Sequence, residues 1–166
     1  SDVTTSSVTA CDSYIWDGVT YTASGAYTNV YTNVSGCDST HTLNLTINNS
    51  TSNTTTATAC DTYTWSVNGQ TYTSSGTYTD VSTNASGCDH TETLVLTINN
   101  STTSTTSHTA CDSYAWNGTT YTSSGVYTWV GTNAAGCDST ATLNLTINNS
   151  DVTTSSVTAC DSYIWD

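Results

Sequence analysis

Residues 10–38 read ACDSYIWDGVTYTASGAYTNVYTNVSGCD, and the chain says this twice more with small changes. Residues 59–89 read ACDTYTWSVNGQTYTSSGTYTDVSTNASGCD, and residues 110–138 read ACDSYAWNGTTYTSSGVYTWVGTNAAGCD. A fourth copy begins at Ala159 and runs to Asp166. The leading cysteines Cys11, Cys60, Cys111 and Cys160 are therefore 49, 51 and 49 residues apart. A fixed period of this size marks a tandem array of small units. The modules are 1–49, 50–100 and 101–149, with 150–166 opening a fourth. Residues 1–17 and 150–166 are the same seventeen residues, SDVTTSSVTACDSYIWD, as expected for a window on a longer polymer whose unit is three modules.

Inside each module the apolar period is two, not 3.6, so strands are expected and helices are not. Val8, Ala10, Asp12, Tyr14 and Trp16 fall on one face of an extended segment. Asp17-Gly18 and Asn117-Gly118 are two-residue hairpin signals, and the second module carries Asn68-Gly69 in a connection two residues longer. Ser24-Gly25 makes a second turn, repeated at Ser75-Gly76 and Ser124-Gly125. A looser turn at 33–36 leads to Cys37. Residues 42–48 (TLNLTIN) then alternate cleanly, with Leu43, Leu45 and Ile47 on one face. The expected fold is all-β: a tandem, fibre-like array of disulfide-stapled antiparallel modules, each a meander of about four strands. The Ser/Thr/Asn stretches 50–58, 101–109 and 150–158 are rich in β-branched residues and lack Gly and Pro, so they should run extended into the following strand.

Composition narrows the function. Thirteen acids with no Lys or Arg give a formal charge of −13. Such a polyanion cannot neutralise phosphates, which excludes nucleic acid as a partner, and anionic membrane surfaces are disfavoured likewise. No apolar run is long enough to span a membrane, and no signal peptide is present. A module of about 49 residues is too small to bury a core that is stable alone, so it needs a staple, neighbours, or both.

Seven cysteines recurring in pairs read as a disulfide framework in an oxidising compartment. Two pairings are open. Within modules it would be Cys11–Cys37, Cys60–Cys88 and Cys111–Cys137, leaving Cys160 for the next module. Between modules it would be Cys37–Cys60, Cys88–Cys111 and Cys137–Cys160. The first is favoured because a meander brings its first and last strands into one sheet. Closing a loop of about 26 residues stabilises by roughly 3–4 kcal/mol on the chain-entropy model.

Neither a catalytic set nor a zinc site is expected. His41, His90 and His108 occupy non-equivalent places, and the positions matching His41 are Glu92 and Ala141. Asp follows cysteine at Asp12, Asp38, Asp61, Asp89, Asp112, Asp138 and Asp161. If Cys11 and Cys37 were bridged, Asp12 and Asp38 would come close enough to offer Ca²⁺ two carboxylates; the alternative is that Asp accepts local backbone hydrogen bonds. Asn-x-Ser/Thr triplets occur at Asn33, Asn44, Asn48, Asn49, Asn53, Asn84, Asn99, Asn100, Asn117, Asn144 and Asn148. Tyr14, Trp16, Tyr21 and Tyr27 offer either packing or a sugar-stacking face. Trp129 occurs only in the third module and is expected to be exposed.

The repeat CDSYxWxGxxYTxSGxYTxxxTNxxGCDSTxTLNLTINNS, which covers the whole chain, resembles tandem repeats of very large secreted or surface proteins of Bacteroidota. The resemblance implies export by the type IX system, an adhesive or structural role without catalysis, and O-glycosylation at Asp-Ser/Thr-apolar sites. Asp38-Ser39-Thr40 and Asp138-Ser139-Thr140 match that pattern, placing Ser39 and Ser139 among the glycan candidates. Asp89-His90-Thr91 and Asp12-Ser13-Tyr14 depart from it.

Together these features lead to the expectation of a structural, non-enzymatic segment of an extracellular glycosylated fibre or cell-surface stalk, with further copies of itself and covalent glycans as partners. The competing expectation is an adhesin module that binds carbohydrate, with calcium or without it. Trypsin should leave the unreduced chain whole, because it contains no Lys or Arg. Chymotrypsin should cut rapidly only after reduction, which gel electrophoresis of timed digests would show; full resistance after reduction would contradict a stapled fold.

Overall fold

The computed structural model describes residues 2–158 and Cys160. Among the described residues there are fifteen β-strands and no helix. Residues Ser1–Asn99 form one compact unit holding the first two modules, and Asn100–Asp166 form a second. Of the expected fourth copy, Ala159 and residues 161–166 lie outside the described residues.

Each of the three modules contributes five strands. In the first these are β1 (Asp2–Cys11), β2 (Tyr14–Trp16), β3 (Val19–Tyr21), β4 (Gly25–Thr32) and β5 (Asp38–Asn48). The second repeats them as β6 (Thr51–Cys60), β7 (Tyr63–Thr64), β8 (Thr71–Tyr72), β9 (Gly76–Thr83) and β10 (Asp89–Asn99). The third supplies β11 (Thr102–Cys111), β12 (Tyr114–Trp116), β13 (Thr119–Tyr121), β14 (Gly125–Thr132) and β15 (Asp138–Asn148). The Ser/Thr stretches at 50–58 and 101–109 are thus strands, as their β-branched content implied, whereas 150–158 forms no strand, having no central strand of its own module beside it among the described residues.

The all-β array of small modules expected from the sequence is what folds, but its topology is not a meander. The sheet order is β1-β5-β4, with β5 in the centre, antiparallel to β4 and parallel to β1. Strands β2 and β3 form a separate two-stranded hairpin. The extended run expected over residues 8–16 is broken at Asp12, which takes φ +60°. There Ser13 N–H donates to Cys11 O at 2.6 Å, and Asp12 N–H donates to Asn48 O at 2.8 Å. That turn, repeated at Asp61 and Asp112 with φ +61°, swings the hairpin out of the sheet and leaves β1 alone against β5.

The hairpin signals behave as their residues dictate. Asp17 and Gly18 both take positive φ (+47° and +76°), as do Asn117 and Gly118, the requirement of a type I′ turn. The Ser-Gly-x-Tyr motif marks the start of β4, β9 and β14. Ser24 Oγ accepts the Ile47 N–H at 2.8 Å, closing the ladder one step past the Gly25–Leu45 pair. Tyr27 folds back over Gly25 so that its hydroxyl donates to Ala23 O at 2.8 Å. A Cβ on Gly25 would meet that ring at 3.4 Å, and Gly76 and Gly125 stand the same way under Tyr78 and Tyr127.

The interior is thin. In the second module Trp65, Leu94 and Leu96 are buried, with Ala57, Tyr63, Tyr72, Tyr78 and Ile98 packed around them. Leu43 and Leu45, and Leu143 and Leu145, are the equivalent leucines of the other two modules. All come from the central strand, which is why its alternation was the cleanest in the sequence. Leu94 is completely enclosed, so Leu94→Ala should cost about 2–5 kcal/mol in urea denaturation. Val95→Ala, on the exposed face of the same strand, should stay within about 0.5 kcal/mol. Equal losses would contradict this assignment of faces.

Candidate functional site

Among the described residues no cleft or cavity forms, and no cluster of three or more His, Cys, Asp or Glu side chains could hold a metal ion. The chemistry concentrates at the joint between the first two modules. Cys11, the last residue of β1, is disulfide-bonded to Cys88, which follows the 84–87 turn of the next module. Neither pairing expected from the sequence occurs for it: Cys11 skips Cys37 and reaches 77 residues along the chain. Cys60 and Cys137 are disulfide-bonded as well, whereas Cys37, Cys111 and Cys160 are free thiols. The parallel β1/β5 register explains why Cys11 cannot reach Cys37. It sets Cys11 opposite Asn48 at the far end of β5, while Cys37 immediately precedes the strand's first residue, Asp38.

Asn84 is the hub of the joint. Its Oδ1 accepts the N–H groups of Ser86 and Cys88, each at 3.0 Å, which shapes the turn presenting Cys88. Its Nδ2 donates across the module boundary to Asn49 O at 2.9 Å. Asn48 Nδ2 donates the other way, to Ser86 O, at 2.9 Å. Gly87, at φ +82°, closes the turn where a side chain would be strained. Asn133 repeats the arrangement: its Oδ1 accepts from Ala135 and Cys137, and its Nδ2 donates to Asn100 O. The third module has Ala135 where a sequon would need Ser or Thr, yet it keeps the asparagine and its bonds. The asparagine at this position therefore has a structural task, one that was hidden among the Asn-x-Ser/Thr triplets.

The glycosylation candidates divide accordingly. Asn33 and Asn84 are half-buried and use their amides to build turns, and Asn48 is committed to Ser86. Asn99 is half-buried too, and Ser39 and Ser139 sit half-buried on the central strands. Asn53 is exposed but holds Glu92 through its Nδ2. Asn44, Asn49, Asn100, Asn117, Asn144 and Asn148 are exposed, with Asn44 and Asn144 on the outer face of the central strands and Asn117 at a hairpin tip.

The premise for a calcium site at Asp12 and Asp38 falls with the Cys11–Cys37 bridge. Asp12 instead spends its carboxylate on the next module's first residue: Oδ1 accepts Ser50 N–H at 2.8 Å and Oδ2 accepts the Ser50 hydroxyl at 2.7 Å. Asp112 holds Ser150 in the same way. These hydrogen bonds, led by the serine hydroxyl, hold both carboxyls below the usual carboxylate range.

The histidines are packing residues. His41 lies between Thr4, Ser6 and Trp16, His90 bonds Thr51 and Glu92, and His108 stacks on Tyr114. Trp16, Tyr21 and Tyr27 pack on one another, and Tyr72 stacks on Tyr78 with centroids 3.8 Å apart. Trp129 is 46% exposed and lies across Gly131, where the first module has Tyr31.

A carboxyl with a depressed folded pKa stabilises above its unfolded value and loses that contribution as pH falls through the folded one. Thermal melts should therefore be level from about pH 7 to 5 and decline below about pH 4, the unfolded carboxylate range. The double variant Asp12→Asn, Asp112→Asn should melt lower at pH 7, with the gap to the parent closing in acid. A gap that widened in acid would contradict the Asp–Ser assignment.

The disulfides point to an oxidising, extracellular environment. No known family model matches the chain, and no curated protein is significantly similar to it.

Proposed function

We propose that this chain is a load-bearing, non-enzymatic segment of an extracellular fibre or cell-surface stalk, decorated with glycans, of the kind the Bacteroidota repeats suggest. The observation that carries this reading is the Cys11–Cys88 bond, which joins one module covalently to the next. A tandem module whose cross-link closes on itself leaves its connection to the next module as strong as a single chain segment. A cross-link that leaps the boundary shields that connection, which is what an element under pulling or shear requires. The −13 charge and the Ser/Thr surface keep neighbouring molecules apart in solution. Exposed asparagines such as Asn44, Asn117 and Asn144 offer attachment points for sugar.

Antibody raised against the chain should label intact, unpermeabilised source cells or the material they shed. Labelling that appears only after permeabilisation would overturn the proposal. A second reading, an adhesin, draws on Trp129, whose exposed ring on β14 has no equivalent in the other modules. A glycan array with and without calcium separates the two: binding lost in Trp129→Ala favours the adhesin, and an empty array favours the stalk.

A further inference from the structure

Each three-stranded sheet has two faces, and the outward one is the more constant. In the first sheet Thr5, Thr42 and Thr28 stand abreast on β1, β5 and β4. The second sheet repeats the row as Thr54, Thr93 and Thr79, and the third as Thr105, Thr142 and Thr128. Thr40 and Thr46 on the central strand, and Thr9 and Thr32 on its neighbours, are threonine in all three modules too. The inward face drifts beyond its leucines: His41 becomes Glu92 and Ala141, and Asn29 becomes Asp80 and Trp129. Packing holds core residues constant and leaves solvent positions free to vary, so the constancy of an exposed face calls for another cause.

That face is also nearly stripped of charge. The chain carries thirteen acids, yet among the described strands only Asp38, Asp89 and Asp138 lie on it, each at the first residue of a central strand. Asp2, Asp80 and Glu92 fall on the other side. Val30, Val81 and Val130 are 62%, 60% and 61% exposed on it, in a chain with few buried apolar side chains. Neighbouring strands lie about 4.8 Å apart and alternate residues along a strand about 6.7 Å, so the threonines form a rectangular grid. Each offers one hydroxyl and one methyl at a fixed place, because β-branching holds χ1 where serine would rotate. The Thr28 and Thr42 hydroxyls face each other at 3.4 Å.

We propose that this outward face binds ice. Its grid has the scale of the oxygen repeats on a prism face of hexagonal ice, and an ice surface is neutral, extended and regular. Hydroxyls at the grid points hydrogen-bond lattice waters, and the methyls beside them rest on the lattice with no polar group to desolvate. A second copy is the poorer occupant, because pairing face to face would bring together two chains of charge −13. A sugar polymer is poorer too, since ring stacking needs aromatics, and Tyr27, Tyr127 and Trp129 lie on the other face. Asn44 and Asn144, which are candidate glycan positions, interrupt the first and third grids; the second has Val95 there and is continuous. This activity goes beyond the stalk reading and does not rest on it, since the purified chain suffices to test it.

The test uses the full, disulfide-bonded chain without glycans. Ice grown slowly in dilute solution rejects ordinary solutes and takes up molecules that bind its surface. The chain should be enriched in the ice fraction, read by absorbance, and should hold the freezing point of a seed crystal below its melting point. Thr42→Tyr, Thr93→Tyr and Thr142→Tyr together should abolish both effects. Thr20→Tyr with Thr120→Tyr, at exposed positions of the hairpins, should leave both unchanged. Thr42→Ser, Thr93→Ser and Thr142→Ser together keep the hydroxyls and should weaken both, with thermal melts checking that every variant is folded. A chain excluded from ice, uptake undiminished in the folded tyrosine variant or in the serine variant, equal loss in the hairpin variant, or face-to-face dimers in place of ice uptake would each overturn the proposal.

Discussion

Two buried leucines per module, with Trp65 added in the second, make up most of the dry interior, and everything else follows from that scarcity. Fifty residues with so little enclosed apolar surface do not repay the entropy of ordering them. The chain meets the deficit with a cross-link that spans 77 residues instead of about 26. On the chain-entropy model the longer loop removes more freedom from the unfolded state, about 4.5 kcal/mol against about 3.5. It also couples two thin cores, so that loss of either module's order is resisted by its neighbour.

The fold arranges itself around this bond. Asp12 adopts a left-handed backbone that ends β1 at the cysteine and turns the hairpin aside. Its carboxylate fixes Ser50, from which β6 departs one residue later. Asn84 folds the turn that offers Cys88 and ties that turn to Asn49 on the preceding module. The recurrent Cys-Asp, Asn-x-x-Gly-Cys and Asn-Asn-Ser words are therefore parts of one device. At the first joint Cys11 and Asp12 come from one module and Asn84 and Cys88 from the next.

Much of this was legible in the sequence. Strand character, the hairpins at Asp17-Gly18 and Asn117-Gly118, the inward leucines and the exposure of Trp129 follow from period-two patterning and turn chemistry. The parallel pairing of β1 with β5 did not, because alternation fixes which face a strand shows and not which neighbour it takes. Nothing in the residues 8–16 announces a break, since Asp12 keeps the phase of Val8, Ala10, Tyr14 and Trp16 while reversing φ. The cysteine partners were lost with the topology, for they depend on which end of the central strand the first strand reaches. Asn33 and Asn84 read as sequons, and the comparison with Asn133 in a module lacking the hydroxyl was the available clue to their structural role.

A peptide map of the unreduced protein tests the central claim most directly. Digestion at Asp, Tyr and Trp under conditions that block disulfide exchange, followed by mass spectrometry, separates the fragments carrying Cys11, Cys37 and Cys88. Cys11 should be recovered linked to the fragment containing Cys88, with Cys37 alkylated as a free thiol. Recovery of Cys11 linked to Cys37 would show modules closed upon themselves and would contradict the account.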